Sequence, residues 1–436
     1  MERQDYRREI EAAIGRCREE IRRCASEIHG YAELSGEEYR SARALEDLLE
    51  AHGFQVERGL KDQPTAFRAQ YGSGGVRVGF LCEYDALASL QQDDVPYQQG
   101  NGGPGHGCGH NLLGAGSAAA AIALKACIDA GLPATAVVYG TPAEETLQGK
   151  TIMAANGYFR ELDAALAWHP LDRNEPGEVR FKAVSGFTMT FRGRAAHACN
   201  CPENGRSALD AAELTNIGVN YLREHVTRDC YMHYCYLHGG ERPNIVPEKA
   251  VLWYMVRADT FARMRELKER VLRVAQGACM MTDTTMETQN LGENHDSKLN
   301  FTLAALAHAC MEETGAPSFT REERDYAAQV ARAVGLPGVT GELREDIIPA
   351  DGTAVMDNGS SDVADVSQVV PTVNINTACY GSRTPNHTWA VTVQANHPAA
   401  WRGMFFAARV LALMGVRLAL EPELLARVKE EFRQEE

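Results

Sequence analysis

Residues 105–116 have the sequence GHGCGHNLLGAG, a glycine-rich loop that leads into an apolar segment. The loop contains two strong metal-ligand types, Cys108 and His110, among glycines that let the backbone bend sharply. An Ala-rich helix is predicted directly behind it, from Ser117 to Ala130. A glycine-rich loop before a helix also suits a phosphate, but this one lacks the Lys-Ser/Thr ending of a P-loop. A metal site is therefore favoured over a phosphate site and over a simple tight turn before a buried helix.

The composition limits the class of protein. A chain of 436 residues exceeds what one hydrophobic core normally supports, so two domains are expected. A net charge of −15 argues against nucleic acid and anionic membranes as partners, which leaves a small molecule.

The N-terminal residues, the apolar runs and the cysteines indicate the cellular location of the protein. No run approaches about 18 uninterrupted apolar residues, so no membrane span is expected. The charged start, Met1–Asp5, predicts an amphipathic helix and not a signal peptide, which indicates the cytoplasm. None of the 12 cysteines forms a CxxC pair, which disfavours a disulfide framework and an iron–sulfur protein.

Three predicted strands end in groups that can carry chemistry. Val76–Cys82 leads into the acidic segment Glu83–Asp85, Ala134–Tyr139 leads to Glu144 and Glu145, and a third strand ends at Ala167–Pro170. In α/β sheets ligands bind at the carboxyl ends of the strands. The repetition predicts an α/β catalytic domain with its site at this edge of a central sheet.

The second part of the chain has a different pattern. Between about residues 185 and 298 the order of elements is β-α-β-β-α-β, which is the ferredoxin-like split arrangement. We therefore predict an α/β protein of two domains, in which residues 1–184 and 299–436 form the first domain with a mixed central sheet. Residues 185–298 form an inserted α+β domain. Near the N-terminus, Ser35 and Glu38 have the spacing of a capping box for the second helix.

The individual candidate residues also have structural interpretations. Glu144 and Glu145 suit a helix N-terminus, where acidic residues favour the helix dipole, and cannot both point the same way in an extended segment. His169 and His387 are each compatible with a hydrogen-bonded histidine. Asp85 suits either a direct metal ligand or a carboxylate that orients a ligating imidazole.

Taken together, these residues point to one site. The candidate ligands are Cys108, His110, Glu145, His169 and His387. Five ligands are too many for one catalytic zinc with an open position, but they suit two metal ions about 3.5–4 Å apart. Two cations that share a water lower its pKa from about 15.7 toward neutrality, and Glu144 would then complete its deprotonation. Hydrolysis is the reaction such a site performs.

The chain resembles the M20 metallopeptidase/amidohydrolase family, and within it the branch of p-aminobenzoyl-glutamate hydrolases and related aminoacylases. The resemblance is carried by motifs in family order: CEYDAL at 82–87, GHGCGHNLLG at 105–114, GTPAEE at 140–145, WHP at 168–170, GRAAHA at 193–198, NIVP at 244–247, GSSDVADVS at 359–367 and TPNHTW at 384–389. These motifs span nearly the whole chain.

The resemblance implies roles for individual residues. Cys108, His110, Glu145, His169 and His387 correspond to the ligands of a two-metal centre, with Glu144 as general base and Asp85 as the supporting carboxylate. On the inserted domain, which the family uses as lid and dimerisation domain, His197 corresponds to a residue that reaches the partner subunit's active site. Asn244 and Arg257 correspond to residues that grip the substrate carboxylate, and Gly359 lies where the family presents backbone N–H groups.

We therefore expect a cytoplasmic, homodimeric amidohydrolase with two divalent ions, Mn²⁺ or Zn²⁺, per subunit. It would cleave an N-acyl or aroyl amino acid, such as p-aminobenzoyl-glutamate or indoleacetyl-aspartate, by attack of a metal-bridging hydroxide. The alternatives are a dipeptidase, a hydrolytic deaminase of an aromatic amine at the same site, or a non-catalytic metal-binding module. The presence of Glu144 disfavours the last of these.

Overall fold

The computed structural model describes residues 3–434. It divides into two compact units, the first made of Met1–Val179, Lys298–Val355 and Asp365–Glu436, and the second of Arg180–Ser297 and Met356–Ala364. The predicted boundaries, 184/185 and 298/299, lie close to these. The segment Met356–Ala364 was predicted in the first domain, but it belongs to the second unit. It is joined there by backbone hydrogen bonds from Lys182 N to Gly359 O (2.9 Å) and from Asp357 N to Arg180 O (3.0 Å).

The helices are distributed along the whole described chain. In chain order they are α1 (Arg3–Tyr31), α2 (Tyr39–Ala51), α3 (His110–Asp129), α4 (Gly149–Ala155), α5 (Ala208–Leu222), α6 (Phe261–Thr282), α7 (Phe301–Thr314), α8 (Arg321–Val334), α9 (Val363–Ser367), α10 (Trp389–Gln394), α11 (Pro398–Leu420) and α12 (Pro422–Gln434). Short 3₁₀ turns occur at Tyr158–Glu161, Pro202–Asn204 and Arg223–His225.

The strands form two main sheets, one in each unit, and a short two-stranded pairing of β6 with β11. In chain order the strands are β1 (Gln55–Leu60), β2 (Gln63–Tyr71), β3 (Val76–Cys82), β4 (Ala134–Gly140), β5 (Ala164–Leu171), β6 (Val179–Arg180), β7 (Ala183–Arg192), β8 (Tyr231–His238), β9 (Lys249–Ala258), β10 (Thr285–Asn294), β11 (Val355–Met356) and β12 (Thr372–Ala378).

The first unit is built on a six-stranded mixed sheet in the order β1-β2-β4-β3-β5-β12. The strands β4, β3, β5 and β12 are mutually parallel neighbours, whereas β1 and β2 pair antiparallel at one end. The parallel strands are buried and apolar, as expected for strands covered on both faces. A mixed α/β fold with a central mixed sheet is therefore confirmed.

Helix α3 is the central helix of the first unit. It packs against α1, α11 and strands β3, β4 and β5, and its small Ala and Gly residues allow this close approach. It begins at His110, within the glycine-rich stretch, and not at Ser117 as predicted. Added Cβ atoms would meet Glu83 O at 2.7 Å from Gly114 and Trp168 Cζ2 at 2.6 Å from Gly116. At these two helical positions the neighbouring atoms leave no room for a side chain.

Two helices, α3 and α11, are long and apolar enough to cross a membrane by length and composition. In each, 83% of the most apolar window is buried inside the protein. They lie against each other and against the sheet, where both contribute many buried side chains to the hydrophobic core of the first unit. Core packing accounts for their apolar character.

The second unit is an antiparallel four-stranded sheet in the order β10-β7-β9-β8 with α5 and α6 packed on one face. Its elements follow one another as β-α-β-β-α-β. The core between sheet and helices contains alternate residues of β9, such as Leu252, Tyr254 and Val256. Strand β8 lies at the end of the sheet order and pairs only with β9 among the described strands.

Candidate metal centre

The carboxyl ends of three parallel strands bring the candidate residues to one edge of the first unit's sheet. Glu83 and Asp85 follow β3, Glu144 and Glu145 follow β4, and His169 lies near the end of β5. Because β4, β3 and β5 are adjacent and parallel, these side chains converge although they are far apart in sequence. The prediction that successive strand ends build one site therefore agrees with the sheet topology.

The glycine-rich loop adds Cys108 and His110 to this edge. Gly109 has a positive φ of 78°, and a Cβ there would lie 1.9 Å from the hydroxyl oxygen of Tyr380, so glycine is required. The carbonyl of Gly107 accepts a hydrogen bond of 2.9 Å from the backbone N–H of His387. This bond fixes the position of His387 relative to the loop.

The candidate donor atoms lie close enough to share metal ions. Three sets of donors lie within 4.8 Å of one another: Cys108, His110 and His169; Cys108, Glu145 and His387; and Glu83, His110 and Glu144. Cys108 Sγ is 3.3 Å from His169 Nε2, and His387 Nε2 is 3.6 Å from Glu145 Oε2. The structure thus brings all five predicted ligands together, with Cys108 common to two sets.

Asp85 accepts several hydrogen bonds next to the candidate metal ligands. One of its oxygens lies 2.8 Å from His110 Nδ1, and the other accepts from the Glu145 N–H (2.9 Å) and the Ser35 hydroxyl (2.8 Å). A carboxylate only accepts, so His110 Nδ1 must donate and its Nε2 is directed away from Asp85. Burial opposes the ionisation of Asp85, but the charge and hydrogen bond of His110 and the other donors hold its pKa at about 2. Asp85 therefore orients the imidazole of His110 in this structure.

The protein has buried polar atoms at this site that suit a cation. Glu83 Oε2, His110 Nε2 and Glu145 Oε1 are buried without a hydrogen-bond partner among the described residues. Burial raises the pKa of Glu145 to about 7 and lowers that of His169 to about 4. A thiol, imidazoles and a carboxylate are the donor types that bind zinc and related divalent ions. The residues present therefore fit a metal centre.

The predicted substrate residues lie in the second unit. His197 and Asn244 are exposed on neighbouring segments, joined by the His197–Ile245 bridge and the bond from Ala198 N to Asn244 O (3.1 Å). The Nδ1 of His197 accepts from two backbone N–H groups, those of Cys199 and Asn200, at 3.2 Å each. Its Nε2 is therefore the atom left for a ligand.

Arg257 and Gly359 complete this predicted group. Arg257 is partly buried, and burial lowers its pKa. Its Nε has no hydrogen-bond partner among the described residues. The N–H of Gly359, predicted to face substrate, instead donates to Asp357 Oδ1 at 2.6 Å in this structure. Of the two, only the guanidinium presents an unused donor.

Three further residues support the site and were not predicted as site residues from the sequence. Glu83 and Lys150 form a buried ion pair, with 2.8 Å between Lys150 Nζ and Glu83 Oε1. Glu38 is fully buried and accepts from the Ala143 N–H (2.8 Å), directly before the two glutamates. The only sequence signal for Glu83 was the acidic segment after β3, and Lys150 had none because its partner is distant in the chain.

Comparison with known proteins places the chain in a family. Residues 79–395 match peptidase family M20/M25/M40. The chain is 34% identical to one of the p-aminobenzoyl-glutamate hydrolase subunits of Escherichia coli (strain K12), with 99% of this chain and 95% of that protein covered. It is 29% identical to a Xaa-Arg dipeptidase of Mus musculus, with 92% of this chain and 86% of that protein covered.

A solved structure shows the same fold. It is a dinuclear metal-binding peptidase of the M20 family from Bacillus subtilis, with a TM-score of 0.61, 16% identity, and coverage of 92% of this chain and 98% of that one. The full-length match at 34% identity and the family match over most of the chain confirm the resemblance that the motifs indicated. The chain therefore belongs to peptidase family M20/M25/M40 and is a metal-dependent amidohydrolase.

Proposed function

We propose that this enzyme hydrolyses the amide bond of an N-acyl or aroyl amino acid with two divalent metal ions, and that Glu144 is its general base. The side chains proposed to hold the ions are Cys108, His110, Glu145, His169 and His387. The observation that carries the proposal is the convergence of these donors, with Cys108 common to two sets, beside Glu144. Thiolate and imidazole donors favour zinc, whereas carboxylate oxygen also suits manganese, so either metal fits.

In the proposed mechanism the metal ions would acidify the attacking water, and protein side chains would transfer its proton. Two divalent ions in this donor set would lower the pKa of a shared water from about 15.7 toward 7. Glu144 Oε2 lies 4.0 Å from His110 Nε2 and the side chain is mostly buried, so the carboxylate borders the same space as the proposed ligands. Glu144 takes a proton from the attacking water and delivers it to the leaving amine nitrogen. Asp85 keeps His110 oriented throughout.

The second unit would supply the grip on substrate. The planar guanidinium of Arg257 can pair both oxygens of an amino-acid carboxylate. Asn244, His197 through its Nε2, and the Gly359 segment are proposed to contact the substrate as well. Two observations support these roles. The Nε of Arg257 has no hydrogen-bond partner among the described residues, so this donor is left for a ligand. The Nδ1 of His197 already accepts a backbone hydrogen bond, so its Nε2 is the nitrogen left for a ligand.

We also propose a cytoplasmic homodimer formed through the second unit, in which it serves as lid and dimerisation domain. Its outermost strand, β8, is exposed along most of its length, and the neighbouring helix α5 exposes Ile217 and Tyr221. Exposed strand edges and apolar side chains are typical of surfaces covered in an assembly. The partner proposed is a second copy of this chain.

The general-base assignment is tested with Glu144→Gln, which removes the basic oxygen and keeps the shape. We expect turnover to fall by at least about 100-fold, since a positioned base contributes that much, with two metal equivalents per subunit retained. Metal content by elemental analysis and single-turnover rates measure the two effects. Glu57→Gln, an exposed glutamate on β1, is the matched control. Unchanged turnover in Glu144→Gln would remove the assignment.

The substrate class is tested with a panel assayed on metal-loaded wild-type enzyme. It includes p-aminobenzoyl-glutamate, indoleacetyl-aspartate, N-acetyl amino acids and dipeptides with a C-terminal arginine. The proposal expects the highest kcat/KM on an N-acyl or aroyl amino acid. The similarity to a Xaa-Arg dipeptidase makes a dipeptidase the second candidate, and preference for the arginine dipeptides would establish it. Activity that persists after complete metal removal would reject the metal-dependent mechanism.

A further inference from the structure

Glu83 is a buried carboxylate close to His110, but it is not among the five proposed ligands. It follows β3, is 3% exposed, and has one carboxylate oxygen, Oε1, 2.8 Å from Lys150 Nζ. Lys150 is 0% exposed. The other oxygen, Oε2, is buried without a hydrogen-bond partner in the part of the chain that the structure describes. The lysine therefore fixes the carboxylate in one orientation and leaves Oε2 directed at the donor cluster.

That oxygen lies close to the Nε2 nitrogen of His110. Glu83 Oε2 and His110 Nε2 are 3.3 Å apart, and within residues 3–434 Nε2 also has no hydrogen-bond partner. His110 donates through Nδ1 to Asp85, so in the neutral imidazole Nε2 is an acceptor. Two acceptors facing each other in a buried site require a positive charge between them, either a proton or a metal cation.

The separation suits a metal. Two donors each about 2.1 Å from one tetrahedral ion lie about 3.4 Å apart, which is close to the observed separation. The Cys108 Sγ to His169 Nε2 distance, 3.3 Å, is of the same size. Glu83 and His110 are moreover members of a donor set whose atoms all lie within 4.8 Å.

We propose that Glu83 is a sixth protein ligand of the metal centre, binding through Oε2 the ion that His110 binds, with Lys150 anchoring Oε1. The inference rests on the proposed two-metal function. Lys150 offsets the charge of the carboxylate, so the ion gains a ligand while the buried pair of Glu83 and Lys150 stays neutral. Gly149, next to Lys150, makes this placement possible, since a Cβ there would lie 1.7 Å from the Pro142 carbonyl oxygen.

The alternative is a purely structural ion pair, and metal-binding measurements separate the two. Wild type, Glu83→Gln and the control Glu46→Gln are stripped of metal and titrated with Zn²⁺ and Mn²⁺ by calorimetry. Glu46 is likewise a buried glutamate paired with a cation, Arg58 at 3.0 Å, but belongs to none of the donor sets found among the described residues. We expect Glu83→Gln to weaken one of two equivalents at least 10-fold and the control to bind like wild type.

Removal of Glu83 alone takes a negatively charged partner away from the buried Lys150, which destabilises the fold. The double variant Glu83→Gln/Lys150→Met removes both charges, and it should fold and show the same loss of one high-affinity equivalent. Cobalt-substituted protein gives an independent readout, since loss of a ligand changes the visible absorption of the ion. Two wild-type affinities in either folded variant would overturn the role of Glu83. Wild type that binds no metal would instead reject the proposed function itself.

Discussion

Asp85 illustrates how single residues prepare this site. Its two oxygens accept hydrogen bonds from three donors, one each on His110, Glu145 and Ser35. Asp85 therefore fixes the tautomer of His110 and the backbone position of Glu145, which are both proposed ligands. Partners of this kind typically change metal affinity by about 10–100-fold when mutated.

Asp85→Asn tests this role. The asparagine keeps the size of the side chain, but its NH₂ group competes as a donor and removes the preference for a proton on His110 Nδ1. We expect metal affinity to fall by about 10–100-fold, with a folded apo-protein of unchanged circular dichroism. Calorimetric titration measures the loss, and Asp47→Asn on the exposed face of α2 serves as control. Equal affinities in Asp85→Asn and wild type would contradict the orienting role.

The sequence located the residues with distinctive chemistry and missed those defined only by contacts. Cys108, His110 and the Glu144–Glu145 pair stand out because thiol, imidazole and paired carboxylates follow glycine-rich or strand-end segments. Lys150 does not stand out, since a lysine in a short helix is normally solvated, and its burial depends on Glu83, which is distant in the chain. Such a pair becomes visible only when the fold brings the end of β3 next to helix α4.

At the scale of elements, strands were predicted better than helix boundaries. The apolar strands β3 and β4 were found within one residue of their ends, because buried parallel strands are continuous apolar runs bounded by turns. The capping box at Ser35 and Glu38 was wrong. Helix α2 begins at Tyr39 with Glu38 as its N-cap residue, and the Ser35 hydroxyl donates to Asp85. Tertiary partners thus displaced a local capping pattern.

Glu38 connects three elements in place of that local cap. Its carboxylate accepts from the N–H of Gly36 (2.8 Å), the hydroxyl of Thr65 on β2 (3.0 Å) and the N–H of Ala143 (2.8 Å). Ala143 has a positive φ of 57°, a strained conformation for a residue with a side chain. The hydrogen bond from Ala143 helps to stabilise the turn that carries Glu144 and Glu145.

Glu38→Ala should therefore destabilise the protein. It leaves three donors without their acceptor, and for the two that are buried, those of Thr65 and Ala143, each unsatisfied group costs about 1–3 kcal/mol. We expect the free energy of unfolding to fall by at least about 2 kcal/mol. Urea titrations of wild type, Glu38→Ala and the control Glu37→Ala, an exposed neighbour, measure the effect. A variant as stable as Glu37→Ala would show that the turn does not depend on this carboxylate.

In the second unit, Asp229 connects the start of β8 to the N-terminus of α6. It accepts from Arg263 Nη1 (2.8 Å) and from the Asp259 N–H (3.2 Å). Burial opposes its ionisation, but hydrogen bonds from Thr227, Arg263 and the backbone hold the pKa of Asp229 well below its usual range. The ionised form is thus favoured by folding.

This shift predicts a pH dependence. The pKa of the folded state is lower than the unfolded value of about 3.9, so the stabilisation is fully present above that pH and is lost as the pH falls below it. The difference in unfolding free energy between wild type and Asp229→Asn should be largest at pH 7 and shrink by pH 3. Urea titrations at pH 7, 5 and 3 measure it, with Asp283→Asn at an exposed ion pair as control. A difference independent of pH would contradict the prediction.

At the scale of the whole molecule, the division into two units follows from a change of sequence pattern. Buried parallel strands dominate the first unit, whereas antiparallel strands with alternating burial, as in β9, dominate the second. The predicted inserted domain, 185–298, lies within a few residues of the main segment of the second unit, Arg180–Ser297. The sequence did not indicate that Met356–Ala364 belongs to the inserted unit, because backbone hydrogen bonds to Arg180 and Lys182 have no local signal.

The proposed homodimer predicts which face of the second unit is covered. Helix α5 contacts β8 through the bond of 3.0 Å between Asn216 Nδ2 and the Tyr236 hydroxyl, so its exposed residues continue the surface of the strand. On that surface Tyr221 is 74% exposed and Ile217 is 51% exposed. Helix α6 also exposes apolar side chains, Met280 (85%) and Met281 (68%), which offer a matched comparison.

Ile217→Lys/Tyr221→Lys should convert the dimer to monomer, because in a two-fold interface each new charge is buried near its own copy and repels it. Sedimentation velocity at micromolar concentration measures the shift, with Met280→Lys/Met281→Lys expected to remain dimeric. A dimer that resists the α5 substitutions but dissociates with those on α6 would move the interface to the other helix. A wild-type monomer would reject the homodimer, and its turnover would then show that His197 is not needed from a second copy.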